Sequence, residues 1–362
     1  MNDKEKCCAR RKTSIGGPAR MEGIMMRGPE KSAMAVRRAN GEIFFEESSN
    51  QKKKRPFFCR WPVIRGIFGF IDSMIIGYKA LMRSAEIAIE DEMAAEESKE
   101  APETEQQVQN EPVAQETEVT EQTSAPEEKE PSEKKKEGMG KGMMAVITVI
   151  ATVFGLLLAV GLFIWLPSFL YNLLAKYTPA SWDLAGNRLL RSTFEGLLKI
   201  AVLVLYMGLV SLMKDIRRTF MYHGAEHKTI FCYEAGLPLT VENVRAQRRF
   251  HPRCGTSFLI LMLLVSIFIA FFIDPLSILI GGAVLPPILR TVVKLLLLPL
   301  TVGVGYELIK FAGRHENWFT RIISAPGVWL QHITVFEPTD DLIECAITAV
   351  KMVIPEDESD QW

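Results

Sequence analysis

The sequence predicts a mainly α-helical protein, a polytopic four-helix membrane bundle with a small N-terminal β-rich element and cytoplasmic amphipathic helices. The first observation behind this prediction is that no charged residue occurs from Gly142 to Ala175, and shorter uncharged runs follow. Uncharged runs of about 20 residues are typical of transmembrane helices. The second observation is that 15 acidic residues and two lysines lie between Asp91 and Glu133, although the whole chain carries a net charge of −1. The remainder is therefore basic, as expected of a protein that lies on anionic lipid.

Residues 1–90 predict a cytoplasmic, glycine-rich β element followed by an amphipathic helix. Asn40-Gly41 separates two short apolar stretches and is typical of a tight turn between antiparallel strands. From residue 56 to 90, bulky apolar side chains alternate at helical spacing with basic ones such as Arg60, Lys79 and Arg83. Such a helix either packs on the protein's own core or lies in the membrane interface, and the sequence leaves both alternatives open.

Residues 91–141 predict an acidic, disordered linker between this N-terminal domain and the membrane domain. The segment is rich in Glu, Gln, Pro, Thr and Ser, and it lacks aromatic residues. Such a composition buries too little apolar surface to offset the conformational entropy that is lost on folding.

Residues 142–309 predict the membrane domain. Four apolar segments are each long enough to cross a bilayer as a helix, at about residues 145–165, 196–213, 256–273 and 291–309. Between the third and the fourth, residues 276–289 are apolar but interrupted by paired glycines and paired prolines, which predicts a re-entrant or interfacial segment. A full crossing at this position is the alternative, and it would add a fifth helix.

Basic residues predict the orientation of these spans. Lysines cluster just before the first span, and eight basic residues fall in the loop at 214–253. The positive-inside rule therefore places this loop and both termini in the cytoplasm, and residues 310–362 become a cytoplasmic tail with an amphipathic helix. The expected partners are the lipid bilayer, anionic lipid headgroups and membrane proteins that the sequence does not identify. The sequence contains no helix-turn-helix, zinc-finger or aromatic-basic module, so no nucleic-acid partner is expected.

The loop at 214–253 also carries the strongest chemical motif of the chain. His223, Glu226 and His227 follow the order H-x-x-E-H, which one class of zinc peptidases uses. On a helix these side chains share one face, so the histidines are predicted to bind a divalent metal, with zinc expected, and Glu226 to act as general base. Further ligands are expected among Glu234, His251 and Cys254. One of them would leave a position open for water, as in catalytic zinc sites, whereas two would close the site.

Two functions follow from these alternatives. An open site predicts a metal-dependent hydrolase that acts at the membrane surface. A closed site predicts a non-catalytic membrane scaffold or regulator, in which structural zinc joins the loop to the bundle. A transporter is less favoured, because the spans hold few charges and Lys199, Lys294 and Glu307 all fall near the ends of predicted spans.

Several motifs resemble those of a bacterial family of integral membrane proteins, the YqhQ-like proteins. The matching strings are residues 16–23 (GGPARMEG), 26–29 (MRGP), 223–228 (HGAEHK), 251–258 (HPRCGTSF), 297–300 (LLPL) and 326–332 (PGVWLQH). The family is a domain of unknown function with a provisional label of metal-dependent enzyme. The resemblance therefore implies a multi-pass protein of the bacterial cell membrane with a metal site, and it implies no particular reaction.

Overall fold

The structure, a computed structural model, describes residues 12–50, 56–104, 141–179, 188–283, 285–315, 317–357 and 359–361. Within these ranges the protein is mainly helical and contains a four-stranded antiparallel sheet near its N-terminus. The predicted mainly α-helical class with an N-terminal β-rich element is thus confirmed. Three to four apolar helices follow the sheet, and they are consistent with membrane association.

The N-terminal sheet is a meander whose neighbouring strands are consecutive in sequence. Its strands are β1 (Ala19–Arg20), β2 (Gly23–Arg27), β3 (Lys31–Arg37) and β4 (Ile43–Ser49). The predicted turn at Asn40-Gly41 joins β3 to β4, where Arg37 pairs with Ile43 and Gly41 adopts a φ of 86°. Glycine is favoured there because a residue with a Cβ is strained at positive φ.

A long helix, α1 (Ile64–Thr104), follows a 3-10 turn at Phe57–Arg60. Its first half packs on a later helix, where Gly66 lies against Tyr306 and Arg65 pairs with Glu307. Bulky apolar side chains of the turn and of α1 stay exposed, namely Phe57, Phe58, Trp61, Ile71, Met74, Ile75, Tyr78 and Leu81. One face of the predicted amphipathic helix thus packs on the protein, and the apolar side chains of another face are uncovered.

The backbone of α1 continues to Thr104, so residues 91–104 of the predicted linker are described as the end of this helix. Ala, Glu, Met and Lys, which make up much of this stretch, are strong helix formers. The rest of the predicted linker, residues 105–140, lies outside the described residues.

Three helical segments are long and apolar enough to cross a membrane: Val149–Tyr177, Leu189–Val210 and Gly255–Gly281. The first joins α2 (Lys141–Val160) to α3 (Leu166–Tyr177) through a π-helical turn, and the others belong to α4 (Arg188–Val210) and α7 (Gly255–Gly281). A fourth crossing requires α8 (Pro287–Leu296) and α9 (Leu298–Arg314) together, and these two helices are bent by 42° at their junction. By length and composition, the described chain therefore offers three to four crossings.

Residues 276–289, predicted as a re-entrant or interfacial segment, are divided between two helices. The first part of the segment continues α7 past Pro275 as far as Gly281, and Gly282 ends the helix with a φ of 69°. Asp274 lies inside this apolar helix, where Arg290 of α8 pairs with it at 3.1 Å. The last part of the segment begins α8.

Four further helices complete the described fold: α5 (Lys214–Glu234), α6 (Val241–Arg245), α10 (Trp318–Thr334) and α11 (Asp340–Val353). The sheet packs against α5, α6 and α11 around one apolar core. Helix α11 is the predicted C-terminal amphipathic helix, and its face of Leu342, Ala346 and Val350 is fully buried in this core. The N-terminal and C-terminal segments thus meet around α5, which carries the H-x-x-E-H motif.

Candidate metal centre

His223 and His227 of α5 meet Cys254, the residue that caps the N-terminus of α7. One ligand atom from each side chain lies within 4.8 Å of the other two, and His223 Nε2 is 3.0 Å from Cys254 Sγ. Among the described residues, they form the group of three histidine, cysteine or acidic side chains whose ligand atoms are close enough together to hold one metal ion. The three residues form a His2Cys cluster.

Each imidazole of the His2Cys cluster is oriented by a backbone carbonyl. His223 Nδ1 donates to Thr334 O at 3.1 Å, and His227 Nδ1 donates to Arg249 O at 2.6 Å. A carbonyl oxygen only accepts hydrogen bonds, so both Nδ1 atoms carry the proton and both Nε2 atoms present a lone pair. His227 Nε2 has no hydrogen-bond partner in the described part of the chain. Metal-binding histidines are commonly oriented in this way, by a hydrogen bond from the nitrogen that does not bind the metal.

The surroundings of the cluster favour the protonation states that a metal ion requires. Burial lowers the pKa of His223 and lowers the pKa of His227 to about 4, so both imidazoles are neutral at neutral pH. Burial raises the pKa of Cys254, but the hydrogen bonds that Thr256 makes with its sulfur favour the thiolate, and that pKa lies below its ordinary value. The helix N-terminus at Cys254 acts in the same direction. Neutral imidazoles and a thiolate are the ligand forms that bind zinc.

Glu226 lies beside the cluster, against the glycine-rich N-terminal segment. One of its carboxyl oxygens is 3.4 Å from His227 Nε2, and the other accepts a hydrogen bond from Gly17 N at 3.4 Å. Glu226 is 7% exposed, and burial raises its pKa to about 8, which favours the protonated carboxyl at neutral pH. A divalent cation at the cluster would favour the carboxylate instead, and a carboxylate can accept a proton.

His251 and Glu234, both predicted as further ligands, do not join the cluster. Glu234 lies seven residues after His227 and therefore about 10 Å farther along α5. There it pairs with Arg253 and accepts a hydrogen bond from Thr13 N at 2.9 Å. His251 Nδ1 accepts a hydrogen bond from Arg253 N, and His251 Nε2 lies 3.9 Å from a Glu234 oxygen. Both residues thus contact Arg253 and belong to a separate hydrogen-bond network. Of the five predicted ligands, the structure brings together His223, His227 and Cys254.

Comparison with known proteins identifies the family. A family model described as "Protein of unknown function (DUF1385)" matches residues 61–356. The chain is also 31% identical over 342 residues to the uncharacterized protein YqhQ of Bacillus subtilis (strain 168), covering 92% of this chain and 90% of that relative. The chain belongs to this YqhQ-like family. No solved structure matches the chain.

In this member of the YqhQ-like family, the loop before Cys254 is held by Gln331, a residue for which the sequence predicted no role at the site. Gln331 of α10 is fully buried, accepts a hydrogen bond from His251 N at 2.8 Å and donates one to His251 O at 2.7 Å. It also donates to Ser257 Oγ at 3.1 Å. The sequence did contain a signal for this role, because Gln331 directly follows the apolar residues of the 326–332 string. That string resembles the corresponding string of the family.

The glycine inside the H-x-x-E-H motif brings α5 close to the segment after α10. A Cβ at Gly224 would lie 2.0 Å from Phe336 O, so the two backbones touch at this point. Phe336 N also donates to Phe220 O at 3.0 Å. This contact holds the end of α10 beside α5, where the carbonyl of Thr334 orients His223.

Proposed function

We propose that the protein is an integral membrane protein with a cytosol-facing zinc centre, and that this centre belongs to a metal-dependent hydrolase acting at the membrane surface. The observation that carries the proposal is a His2Cys cluster with a neighbouring buried carboxyl group, Glu226, that is not part of it. Catalytic zinc sites have three protein ligands and keep a fourth position for water, whereas structural sites have four protein ligands.

The position of Cys254 supports a centre at the membrane surface. Cys254 caps the N-terminus of α7, which is long and apolar enough to cross a membrane. The eight basic residues of the loop at 214–253 favour the cytosolic side and contact with anionic headgroups. Lipid would also cover the exposed apolar side chains of α1, among them Ile71, Ile75 and Tyr78.

The side chains around the centre have distinct roles in the proposed reaction. The His2Cys cluster would hold zinc, a metal that polarises a substrate oxygen and lowers the pKa of a bound water. Glu226, which lies 3.4 Å from a nitrogen of the cluster, would take a proton from a water molecule and return it to the leaving group. The carbonyls of Thr334 and Arg249 keep the two imidazoles neutral and oriented.

A structural zinc centre is the second candidate, and burial favours it. His227 and Cys254 are 2% and 6% exposed, and the cluster joins α5 to the residue that begins α7. Zinc at such a junction contributes folding free energy directly. On this alternative the protein is a membrane scaffold or regulator, and Glu226 only accepts the hydrogen bond from Gly17.

Glu226→Gln separates the two candidates, because the amide has nearly the same shape and cannot take up a proton. In a hydrolase, this variant keeps bound zinc and thermal stability but loses about a hundred-fold or more of its rate, so it fails to complement a strain that lacks the gene. His223→Ala should lose both zinc and complementation. Glu242→Gln, the same change at an exposed position of α6, is the matched control. Full complementation by Glu226→Gln at normal protein levels would contradict the hydrolase and favour the structural centre.

A further inference from the structure

Six ionisable side chains from three helices lie near one another inside the described fold. This intramembrane charge cluster consists of Arg191, Glu195 and Lys199 of α4, Asp274 of α7, and Arg290 and Lys294 of α8. Four of the six are more than nine-tenths buried: Glu195 is 3% exposed, Lys199 8%, Asp274 2% and Arg290 5%. Burial of these groups in an apolar domain is costly, and side chains retained at such positions commonly have a functional role.

Ion pairs satisfy only part of the intramembrane charge cluster. Glu195 accepts hydrogen bonds from Ser168 Oγ at 3.0 Å, Arg191 Nε at 3.0 Å and Lys294 Nζ at 2.8 Å. Arg290 Nη1 lies 3.1 Å from an Asp274 oxygen. The two carboxylates are thus each paired with at least one cation.

The cluster nevertheless contains four cations and two carboxylates, an excess of two positive charges. Lys199 lies within electrostatic range of Glu195, Arg290 and Lys294, and it makes no hydrogen bond or ion pair with the residues that the structure describes. Arg290 Nε and Asp274 Oδ1 are buried without a hydrogen-bond partner in the same part of the chain. An excess of buried positive charge with unused donors calls for an anion, because unpaired buried charge costs several kcal/mol per ion.

The cluster lies far from the metal centre. Asp274 follows Cys254 by twenty residues of α7, which corresponds to about 30 Å along the helix axis. That distance is close to the thickness of the hydrocarbon core of a bilayer. In α4, Lys199 precedes the end of the helix at Val210 by eleven residues, or about 16 Å. The charge cluster therefore occupies the half of the membrane domain opposite the His2Cys cluster.

An apolar cleft of about 700 Å³ lies between α7 and α8, the helices that carry Asp274, Arg290 and Lys294. Its walls include Ile273, which precedes Asp274 in sequence, and Val293, which precedes Lys294, while the charged side chains themselves lie outside its lining. The outer side of α8 is uncovered, since Ile288 is 82% exposed. A cleft of this kind beside a positive site accommodates the acyl chain of a lipid whose charged headgroup reaches the cations.

We propose that the intramembrane charge cluster is an anion site that binds a phosphate group, with Lys199, Arg290 and Lys294 as its cations. Guanidinium groups bind phosphate through paired hydrogen bonds, and ammonium groups bind it as point charges. The phosphate comes from an anionic phospholipid whose acyl chain lies in the cleft, or from a free phosphate, and both sources share the same recognition chemistry. The site depends on the membrane placement proposed above and is independent of zinc.

The test uses the full-length protein in nanodiscs of pure phosphatidylcholine, or of an equal mixture of phosphatidylcholine and phosphatidylglycerol, with and without inorganic phosphate. Thermal unfolding and native mass spectrometry report stabilisation and the number of retained lipids. Lys199→Met removes a cation without breaking an ion pair, so it should fold. Lys176→Met, a change at an exposed lysine of α3, is the matched control. Arg290→Gln is a second variant, expected to fold less well because it leaves Asp274 unpaired.

We expect phosphatidylglycerol to stabilise the wild type and Lys176→Met. Lys199→Met should retain about ten-fold less bound phosphatidylglycerol. Stabilisation by inorganic phosphate in pure phosphatidylcholine would identify free phosphate as the ligand source, and stabilisation by phosphatidylglycerol alone would identify lipid. If neither anion stabilises the wild type, or if Lys199→Met responds like Lys176→Met, the anion site is overturned. His227→Ala should keep the anion response, so this proposal and the zinc centre can fail separately.

Discussion

Gln331→Leu tests how the loop that carries Cys254 is held in place. Gln331 is fully buried and makes three hydrogen bonds at 2.7–3.1 Å, two with the backbone of His251 and one with Ser257 Oγ. Leucine has a similar size but removes all three bonds. The N–H and the C=O of His251 are then left without partners, away from water.

The expected cost follows from the groups that lose their partners. Each buried polar group without a hydrogen bond costs about 1–3 kcal/mol, so two backbone groups and one hydroxyl give a loss of at least about 3 kcal/mol in the free energy of unfolding. The same loop positions Cys254 and the carbonyl of Arg249, which orients His227. We therefore expect the affinity for zinc to fall about 10–100-fold, as is typical when a group that supports a metal ligand is removed.

Urea unfolding in detergent micelles measures the first effect, and competition with a zinc chelator measures the second. Gln247→Leu is a matched control, because Gln247 lies in the same loop and donates a single local hydrogen bond, to Asn243 O at 3.1 Å. Its expected cost is about 1 kcal/mol or less. If Gln331→Leu matches this control in both stability and zinc affinity, Gln331 does not hold the loop and the reasoning is refuted.

Gly224→Ala is expected to destabilise the protein by about 3 kcal/mol, because the new Cβ would lie 2.0 Å from Phe336 O. Thermal unfolding checks this against Gly208→Ala, where no atom lies within 4 Å; equal effects would show that α5 does not touch the backbone of Phe336 at Gly224. Burial raises the pKa of Glu234, but its ion-pair partners lower that pKa below the ordinary 4.5. Glu234 therefore stabilises the fold above about pH 4.5, and this contribution is lost as pH falls through the folded pKa. Glu234→Gln should unfold at lower temperature than the wild type at neutral pH, and the difference should shrink in acid; a constant difference at all pH values would argue against the ion pairs.

Elements that depend on adjacent residues could be predicted from the sequence. The turn at Asn40-Gly41 follows from local backbone preference, and the apolar face of α11 follows from helical spacing. The positions of His223 and His227 on one face of α5 follow in the same way, since residues four apart share a face in any α-helix. None of these features requires knowledge of a distant segment.

The choice among the further ligands could not be predicted, because it depends on contacts between distant segments. Cys254 reaches the histidines because it caps α7 directly beside α5. Glu234 and His251 carry equally suitable ligand atoms, but Arg253 and the backbone of Thr13 occupy the Glu234 carboxylate. A linear pattern of ligand types does not reveal which of them an arginine will capture.

The charge cluster of α4, α7 and α8 shows the same limit for the apolar helices. The sequence placed Lys199 and Lys294 near the ends of their spans, where a lysine can reach the headgroup layer. In the structure α4 begins at Arg188, earlier than predicted, so Lys199 lies well inside the helix and is buried. Its neighbours come from α8, and hydropathy along one segment contains no information about charges on another.

The most direct test of the central claim is the zinc content of the purified protein, measured by elemental mass spectrometry without added metal. We expect one zinc ion per chain in the wild type and in His251→Ala, because His251 lies outside the His2Cys cluster. His227→Ala should lose the ion, since it removes one of three ligands. Unchanged zinc in His227→Ala, or loss of zinc in His251→Ala alone, would contradict a zinc centre formed by His223, His227 and Cys254.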